Sequence, residues 1–264
     1  MTAMSDPEAT PMHAMTTGQR AALALRQWAD YRAGTPGTCF AAPDFSIGLD
    51  DAYAVQDAVA ALRVAAGDRV AGYKLGCTGP GTTTQFGMAG PIRARLFDSE
   101  ILPNGAVVEG GRFDNLAIEG EMALRIGADG AIEAAFPVIE LHHFVFRGQV
   151  KTLSELVANN GLNGGIVLPD ISWQRLCVGV SGPMPVLSVR IDGQEVGAGA
   201  PWPLGGGARA SLDWLRAHLA GFGLAPQPGQ IILAGTVLAL YPTAPGARVD
   251  ICIDGAPVTR CTVL

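Results

Sequence analysis

The chain has 264 residues, of which 48% are hydrophobic and 16% charged, and its formal net charge is −6. These proportions predict a globular protein with a sizeable core and argue against disorder. The negative charge disfavours nucleic acids and anionic membranes as partners. No apolar run reaches the roughly 20 residues that a membrane-spanning helix needs.

The cysteines and the N-terminal residues predict a cytoplasmic protein. Five cysteines form no Cys-x-x-Cys pair, and an odd number fits a reducing compartment better than a disulfide framework. Residues 1–16 are polar and interrupted by proline, and they contain Asp6 and Glu8 in place of the apolar run of a secretory signal. We expect residues 1–16 to be a disordered leader.

Residues 17–70 are predicted to form a helical N-terminal part. Apolar residues recur at helical spacing in residues 17–33, and the glycines at 34 and 37 end that helix. A second helix begins near Asp50 or Asp51, either of which can cap it, and ends before Gly67.

Residues 71–264 are predicted to form a β-rich catalytic domain that binds a metal. Further helices are predicted at 82–87, 151–160 and 208–221. Strands are predicted at 70–76, 107–108, 117–126, 131–141, 165–168, 186–191, 195–199, 231–234, 248–253 and 258–263. Strands that follow one another without intervening helices indicate an α+β fold. The chain lacks the glycine-rich phosphate-binding motifs, which disfavours nucleotide cofactors.

Three glutamates, Glu119, Glu121 and Glu140, lie in apolar, strand-forming sequence. Residues two apart in a strand point to the same face, so Glu119 and Glu121 project side by side. Carboxylates grouped in an apolar setting repel each other or become protonated, and Mg²⁺ or Mn²⁺ removes both penalties. Gly120 between the pair supports the close approach of another group. The alternative is that Glu119 or Glu121 faces solvent on a half-exposed strand.

Such a metal centre suits a 2-oxo acid substrate. Three carboxylates leave about half of an octahedral shell open, and the carboxylate and keto oxygens of a 2-oxo acid can fill two positions. The metal then stabilises an enolate as a Lewis acid.

Lys74 is the candidate proton-transfer residue within a glycine-flanked apolar strand. Burial would lower its pKa toward neutrality, or it would remain charged and bind a substrate carboxylate. The alternative is a lysine that extends from an edge strand to water. His142 and His143 follow Glu140 and point to opposite faces of a strand; His142 is the candidate proton shuttle, with ordinary packing as the alternative.

A segment with three asparagines, residues 158–165, precedes a predicted strand. Its side-chain amides can bind a ligand oxygen, or the segment can serve as a plain helix cap. These two readings are equally supported by the residues alone.

Six ordered motifs run through the chain: Leu49-Asp-Asp-Ala-Tyr-Ala-Val-Gln-Asp57, Gly72-Tyr-Lys-Leu-Gly76, Ile118-Glu-Gly-Glu121, Val138-Ile-Glu140, Gly229-Gln-Ile-Ile-Leu-Ala-Gly235 and Pro245-Gly-Ala-Arg-Val-Asp250. Together they resemble the 2-keto-4-pentenoate hydratase / 2-oxo-3-hexenedioate (4-oxalocrotonate) decarboxylase family of the fumarylacetoacetate hydrolase superfamily. The resemblance covers roughly residues 20–264.

The resemblance implies a mixed β-sheet roll of the fumarylacetoacetate hydrolase type, Mg²⁺ or Mn²⁺, a small 2-oxo acid substrate and a homo-oligomer. It places Glu119, Glu121 and Glu140 as metal ligands and Lys74 as the active-site lysine. Residues 159–164 match the segment in which relatives have the sequence Asp-Asn-Ala-Ser-Ser-Gly, and this match makes Asn160 and Gly164 candidate substrate-binding residues. Asn163 stands where relatives have a serine near the substrate and is a candidate catalytic residue.

The chain also departs from the family pattern. Ile92 stands where the hydratases have an acidic residue, and an apolar residue there is more similar to the decarboxylase branch. Residues 206–209 read Gly-Gly-Ala-Arg in place of Gly-His-Pro-Leu, and the residues after Glu140 also differ.

The leading hypothesis is a metal-dependent hydratase that adds water to a 2-hydroxy-2,4-dienoate or 2-oxo-enoate, such as 2-oxopent-4-enoate, in aromatic catabolism. Three alternatives remain open. They are decarboxylation of a 2-oxo-3-enedioate, C–C hydrolysis of an acylpyruvate with His142 or His143 as the base, and binding of a 2-oxo acid without turnover.

Overall fold

The computed structural model describes residues 14–86 and 91–264. Residues 1–13 of the predicted leader therefore lie outside the described residues. The helices are α1 (Thr17–Arg32), α2 (Leu49–Ala65), α3 (Pro80–Phe86), α4 (Leu153–Ala158) and α5 (Gly207–Ala220). The strands are β1 (Val70–Gly76), β2 (Ile92–Phe97), β3 (Ile101–Leu102), β4 (Ala106–Val108), β5 (Leu116–Ile126), β6 (Ile132–His143), β7 (Asn163–Val167), β8 (Leu187–Ile191), β9 (Gln194–Gly199), β10 (Ile231–Leu233), β11 (Tyr241–Pro242), β12 (Arg248–Ile253) and β13 (Ala256–Val263). In the described ranges, no helix has the length and apolar character needed to cross a membrane.

The strands form two sheets. The larger has eight strands, in the order β2-β1-β10-β5-β6-β7-β3, with β11 also paired to β5. It is mixed, because β1 runs parallel to β10 while β5 and β6 form a long antiparallel hairpin. The smaller has five strands, in the order β4-β13-β12-β8-β9.

The main core lies between the two sheets. Apolar side chains of β5, such as Met122, pack with Val189 of β8 and Ile251 of β12, and all three are fully buried. Helix α5 adds Leu215 and Leu219 to the same cluster. A second cluster joins α1, α2 and α4 to Ile92 of β2, so the N-terminal helices form a layer against the larger sheet.

Gly120 shows why the two sheets can approach so closely. A methyl group at this position would lie 2.6 Å from Val189 Cγ2 and 3.0 Å from Ile251 Cδ1. The close approach predicted at this glycine is therefore correct, but the neighbour is the smaller sheet and not a metal, because Gly120 faces the side opposite Glu119 and Glu121.

Strand β2 was absent from the sequence prediction. It carries Arg93 and Arg95, yet every residue of the strand is buried. Asp57 of α2 pairs with both guanidinium groups, and Gln56 accepts a hydrogen bond from Arg93 at 2.6 Å. Asp57, from a helix distant in the sequence, thus allows both arginine charges to be buried. Because this partner is distant, no local pattern could have revealed the strand.

The start of α2 also differs from the prediction. Its N-cap is Gly48, and no side chain caps the helix. Asp51 lies in the first turn, where it accepts hydrogen bonds from the Met15 backbone at 2.8 Å and from Arg20 at 2.7 Å. The Asp51 carboxylate therefore holds the beginning of α1 against α2. Its negative charge in the first turn of α2 is also favoured by the positive end of the helix dipole.

Candidate metal centre

The β5–β6 hairpin brings four ionisable side chains to one face of the larger sheet. Glu119 and Glu121 are two apart in β5, and Glu140 of β6 lies directly opposite Glu119. His142 is two residues beyond Glu140 and therefore shares its face. Glu121, Glu140 and His142 are 1%, 1% and 4% exposed, whereas the Glu119 side chain is 20% exposed, so three of the four groups are almost completely removed from solvent.

Glu119, Glu140 and His142 form a group that could hold a metal ion. Each offers one ligand atom, and the three atoms lie within 4.8 Å of one another. His142 Nε2 is 3.2 Å from Glu119 Oε2 and 3.2 Å from Glu140 Oε2. This nitrogen is buried and makes no hydrogen bond of acceptable geometry. An unsatisfied buried polar atom costs about 1–3 kcal/mol, and a cation between the three groups would remove that penalty.

Lys74 approaches the cluster from β1, with Nζ in an ion pair with Glu140 and a 3.0 Å hydrogen bond donated to the Gly161 carbonyl. The residue is 2% exposed, which rules out the reading of a lysine that extends to water. Burial opposes its charge, but Glu140 outweighs burial and raises the pKa of Lys74. Of the two functional readings, the structure therefore supports a charged lysine and not one with a lowered pKa.

The other charges follow from the same contacts. Burial raises the pKa of Glu140, but Lys74 and His142 together lower it far below its usual value. Burial opposes protonation of His142, and the charge of Glu140 overcomes this and raises its pKa. Burial, with the nearby charges of Glu140 and Glu119, raises the pKa of Glu121 well above its usual value. The Glu121 carboxylate also accepts a hydrogen bond from the Gly235 backbone, which fixes its position.

These charged groups line a cavity of about 470 Å³, a size typical of small-molecule sites. Phe86, Phe144 and Phe146 line it together with residues 236–240, so much of the wall is apolar. Lys151 also lines the cavity, with Nζ 5.6 Å from the ring centre of Phe144 and 5.3 Å from that of Phe146. None of these wall residues was identified from the sequence as a site residue, because they come from separate loops and strands.

The asparagine-rich segment reaches the cavity through its backbone. Asn160, Gly161 and Leu162 have positive φ angles of 50°, 61° and 59°. This sharp turn directs the Gly161 carbonyl to Lys74 and places Gly161 and Leu162 in the cavity wall. Sequence reasoning missed both residues, although consecutive asparagines and glycines do indicate positive φ.

The three predicted substrate-side residues of this segment lie elsewhere in the described structure. Asn160 pairs through its side chain with the backbone of Arg95. Asn163 donates a 2.7 Å hydrogen bond to Glu100. Gly164 is the extra residue of a β-bulge between β6 and β7, where a methyl group would lie 2.6 Å from the Phe113 ring.

His143 is turned away from the cluster. Its Nδ1 accepts a hydrogen bond from the Asp114 backbone at 3.2 Å, and its ring lies 5.0 Å from that of Phe113. Burial, with a smaller effect from His142, lowers the pKa of His143 to about 4. Of the two histidines considered as a base, His142 is the one that lines the cavity.

Comparison with known proteins gives relatives over most of the chain. No family model matches the sequence. The chain is 28% identical over 218 residues to 2-keto-4-pentenoate hydratase 2 of Dechloromonas aromatica (strain RCB), which covers 78% of this chain and 82% of the relative. It is 27% identical over 222 residues to 2-hydroxyhexa-2,4-dienoate hydratase of Comamonas testosteroni, with coverage of 78% and 83%.

A solved structure shows the same fold. The 4-oxalocrotonate decarboxylase from Pseudomonas putida G7, complexed with magnesium and adipate, matches with a TM-score of 0.80 and 21% identity. The match covers 95% of this chain and 99% of that one. The predicted α+β roll is therefore confirmed.

Proposed function

We propose that the chain is a metal-dependent hydratase of the family that contains the 2-keto-4-pentenoate hydratases and 4-oxalocrotonate decarboxylases, which its motifs resemble and to whose members it is similar. The reaction is addition of water to a 2-hydroxy-2,4-dienoate or 2-oxo-enoate, such as 2-oxopent-4-enoate, in the breakdown of aromatic compounds. The observation that carries the proposal is the convergence of Glu119, Glu140, His142 and Lys74 at the wall of one cavity.

The donor set fits a divalent cation, Mg²⁺ or Mn²⁺. Two carboxylates and an unpartnered imidazole nitrogen converge, and Glu121 lies beside them as the third carboxylate that the motif order predicts. Held by these residues, a divalent cation would supply Lewis-acid stabilisation of negative charge on the oxygens of a 2-oxo acid.

Lys74 has two tasks in this proposal. Glu140 and the Gly161 carbonyl hold its ammonium group at the cluster. Because its ammonium group is paired with Glu140, we expect Lys74 to be protonated when the substrate binds. It therefore binds an anionic oxygen of the substrate and serves as a proton donor during ketonisation, not as a base.

The rest of the cavity selects and shields the substrate. The Phe144 and Phe146 rings offer an apolar surface to the conjugated carbon chain. Their position limits water around the reacting carbons, which strengthens the interactions of the charged groups.

The direct test follows the ultraviolet absorbance of 2-hydroxypenta-2,4-dienoate with the metal-loaded protein. We expect loss of absorbance that requires Mg²⁺ or Mn²⁺. Glu119→Gln and Glu140→Gln should each reduce kcat/KM by at least about 100-fold, the scale of an electrostatic group at a reacting centre. Glu133→Gln is the matched control, because Glu133 is an exposed carboxylate on the same strand as Glu140. Unchanged absorbance with either metal, or full activity of Glu119→Gln, would contradict the proposal.

A second candidate reaction is decarboxylation of a 2-oxo-3-enedioate of the 4-oxalocrotonate type. The observation that favours it is Lys151, whose ammonium lies over Phe144 and Phe146 at the cavity wall, where it can pair with a distal carboxylate. Release of CO₂ from 2-oxo-3-hexenedioate discriminates this reaction from hydration. An acylpyruvate hydrolase would have to use His142 as its base. Metal-dependent binding of oxalate without turnover of any of these substrates would favour a 2-oxo acid binder.

Two further properties complete the proposal. All five cysteines are free thiols, which supports a cytoplasmic location. The family resemblance supports a homo-oligomer, and light scattering of the purified protein measures its size.

A further inference from the structure

The candidate centre contains a nitrogen ligand as well as carboxylate oxygens. His142 Nε2 is 3.2 Å from one oxygen of Glu119 and 3.2 Å from one oxygen of Glu140. We infer that His142 is a metal ligand and not a proton shuttle, and that the centre binds Mn²⁺ or another divalent transition metal in preference to Mg²⁺. This inference rests on the proposed function in one respect, namely that the cluster holds a divalent cation.

The backbone holds His142 in the position of a ligand. It follows Glu140 by two residues, and the β5–β6 register runs without a shift from Glu119 opposite Glu140 to Ala117 opposite His142. On the other side of β6, the bulge at Gly164 absorbs the irregularity of the pairing with β7. The imidazole is therefore fixed beside the two carboxylates by regular strand geometry.

The surroundings of Nε2 suit coordination better than proton transfer. The nitrogen is buried and lacks a hydrogen bond of acceptable geometry, although two carboxylate oxygens are close to it. A proton shuttle must exchange its proton with substrate or water, whereas this nitrogen is aimed into the gap between Glu119 and Glu140. A cation in that gap would receive one donor from each of the three side chains.

The identity of the donors sets the metal preference. Mg²⁺ prefers oxygen ligands and near-ideal octahedral geometry. Imidazole nitrogen suits transition metals such as Fe²⁺ and Zn²⁺, and the affinity of a given site generally rises from Mn²⁺ through Fe²⁺ and Co²⁺ to Cu²⁺ and falls again at Zn²⁺. Mn²⁺ accepts both oxygen and nitrogen ligands, so a nitrogen donor favours it over Mg²⁺. A centre of three carboxylates would lack this bias, so His142 should be the residue that creates it. Glu121 accepts a hydrogen bond from the Gly235 backbone and can offer a metal only oxygen. The imidazole nitrogen of His142 is therefore the donor that distinguishes the two metals.

The test measures metal binding directly on the full-length metal-free protein. Isothermal titration with MgCl₂ and with MnCl₂ should give at least tenfold tighter binding of Mn²⁺. Pulsed electron paramagnetic resonance of the Mn²⁺-loaded protein should show coupling to a ¹⁴N nucleus. His142→Ala should abolish that coupling and weaken Mn²⁺ binding more than Mg²⁺ binding. His142→Asp, which replaces the nitrogen with oxygen, should reduce the Mn²⁺ preference to less than threefold.

His143→Ala is the matched control, because His143 is the adjacent histidine but is held outside the cavity by Asp114 and Phe113. It should retain both the coupling and the metal preference. Circular dichroism establishes whether each variant is folded. If His142→Ala is not folded, His142→Gln takes its place as the variant that lacks the imidazole ligand.

The outcomes separate the inference from the proposed function. Equal affinities for the two metals without ¹⁴N coupling in the wild type would overturn the inference, even if hydration proceeds. Nitrogen coupling that disappears in His142→Ala would support the inference, even if no substrate is hydrated. Failure to bind any divalent cation would overturn both.

Discussion

Replacement of Lys74 by methionine tests the electrostatic organisation of the centre. The Lys74 and Glu140 side chains are 3% and 1% exposed and form an ion pair. Removing one member of a buried pair leaves the other charge uncompensated and costs about 3–5 kcal/mol. In a protein of this size, 1 kcal/mol corresponds to about 2–4 °C, so we expect Lys74→Met to lower the Tm by roughly 6–20 °C in EDTA.

Thermal unfolding followed by circular dichroism, with and without Mn²⁺, is the assay. Mn²⁺ at 100 times its Kd should stabilise the wild type by about 2.7 kcal/mol. The gain should be larger in Lys74→Met, because the cation also neutralises the carboxylate that the substitution leaves unpaired. The double variant Lys74→Met/Glu140→Gln should recover at least half of the lost stability in EDTA, because no buried charge remains unpaired.

Lys151→Met is the matched control, because Lys151 is the other lysine of the chain and is exposed at the same cavity. Its effect on the free energy of unfolding should stay within about 0.5 kcal/mol. The reasoning is refuted if Lys74→Met in EDTA melts within 2 °C of the wild type, or if the double variant is less stable than Lys74→Met.

Three further predictions concern His143, Gly120 and Asn163. Because the pKa of His143 is lowered to about 4, its neutral form stabilises the fold above about pH 6.5. That stability, at most about 3 kcal/mol, is lost as the pH falls from 6.5 to 4. His143→Gln should flatten this part of the plot of unfolding free energy against pH, measured by urea unfolding at a series of pH values. Gly120→Ala should cost about 1–3 kcal/mol in the same assay through overpacking against Val189, whereas Gly18→Ala, where nothing lies within 4 Å, should not destabilise. Asn163→Ala should lower stability by about 1–3 kcal/mol, because Glu100 loses a donor, and leave kcat within about twofold.

Each of these has an outcome that counts against it. An unchanged pH profile in His143→Gln would mean that this histidine titrates normally. A Gly120→Ala variant as stable as the wild type would show that the sheets can separate without cost. A large loss of kcat in folded Asn163→Ala would place that residue in the reaction, as the motif order predicts and the Glu100 contact does not.

Local patterns in the sequence predicted much of the larger sheet. The alternation in β5 and β6 located both strands and placed Glu119 and Glu121 on one face, because side-chain direction in a strand depends on neighbouring residues alone. The same reasoning placed Lys74 inside β1. Strand β2 escaped it, since two arginines in six residues resemble a surface segment until Asp57 of α2 is brought against them.

The asparagine-rich segment shows a second limit. Its composition indicated a polar turn, and the structure has one. Which groups face the cavity depends on three successive positive φ angles, which turn the Gly161 carbonyl inward and leave Asn160 and Asn163 bonded to Arg95 and Glu100. A motif alignment cannot separate backbone from side-chain contacts.

The sequence by itself determined the residue types of the centre, its place on a strand hairpin and its resemblance to enzymes of 2-oxo acids, because all three are encoded in short-range order. The tertiary structure alone decided how the donors meet. Register placed Glu140 opposite Glu119, and sheet order brought Lys74 to Glu140 across two intervening strands. Packing of the sheet decided that the face of β6 with His142, and not the face with His143, lines the cavity. These are relations between distant segments, set by packing of the whole sheet, and they changed a centre of three carboxylates into one that also offers a nitrogen.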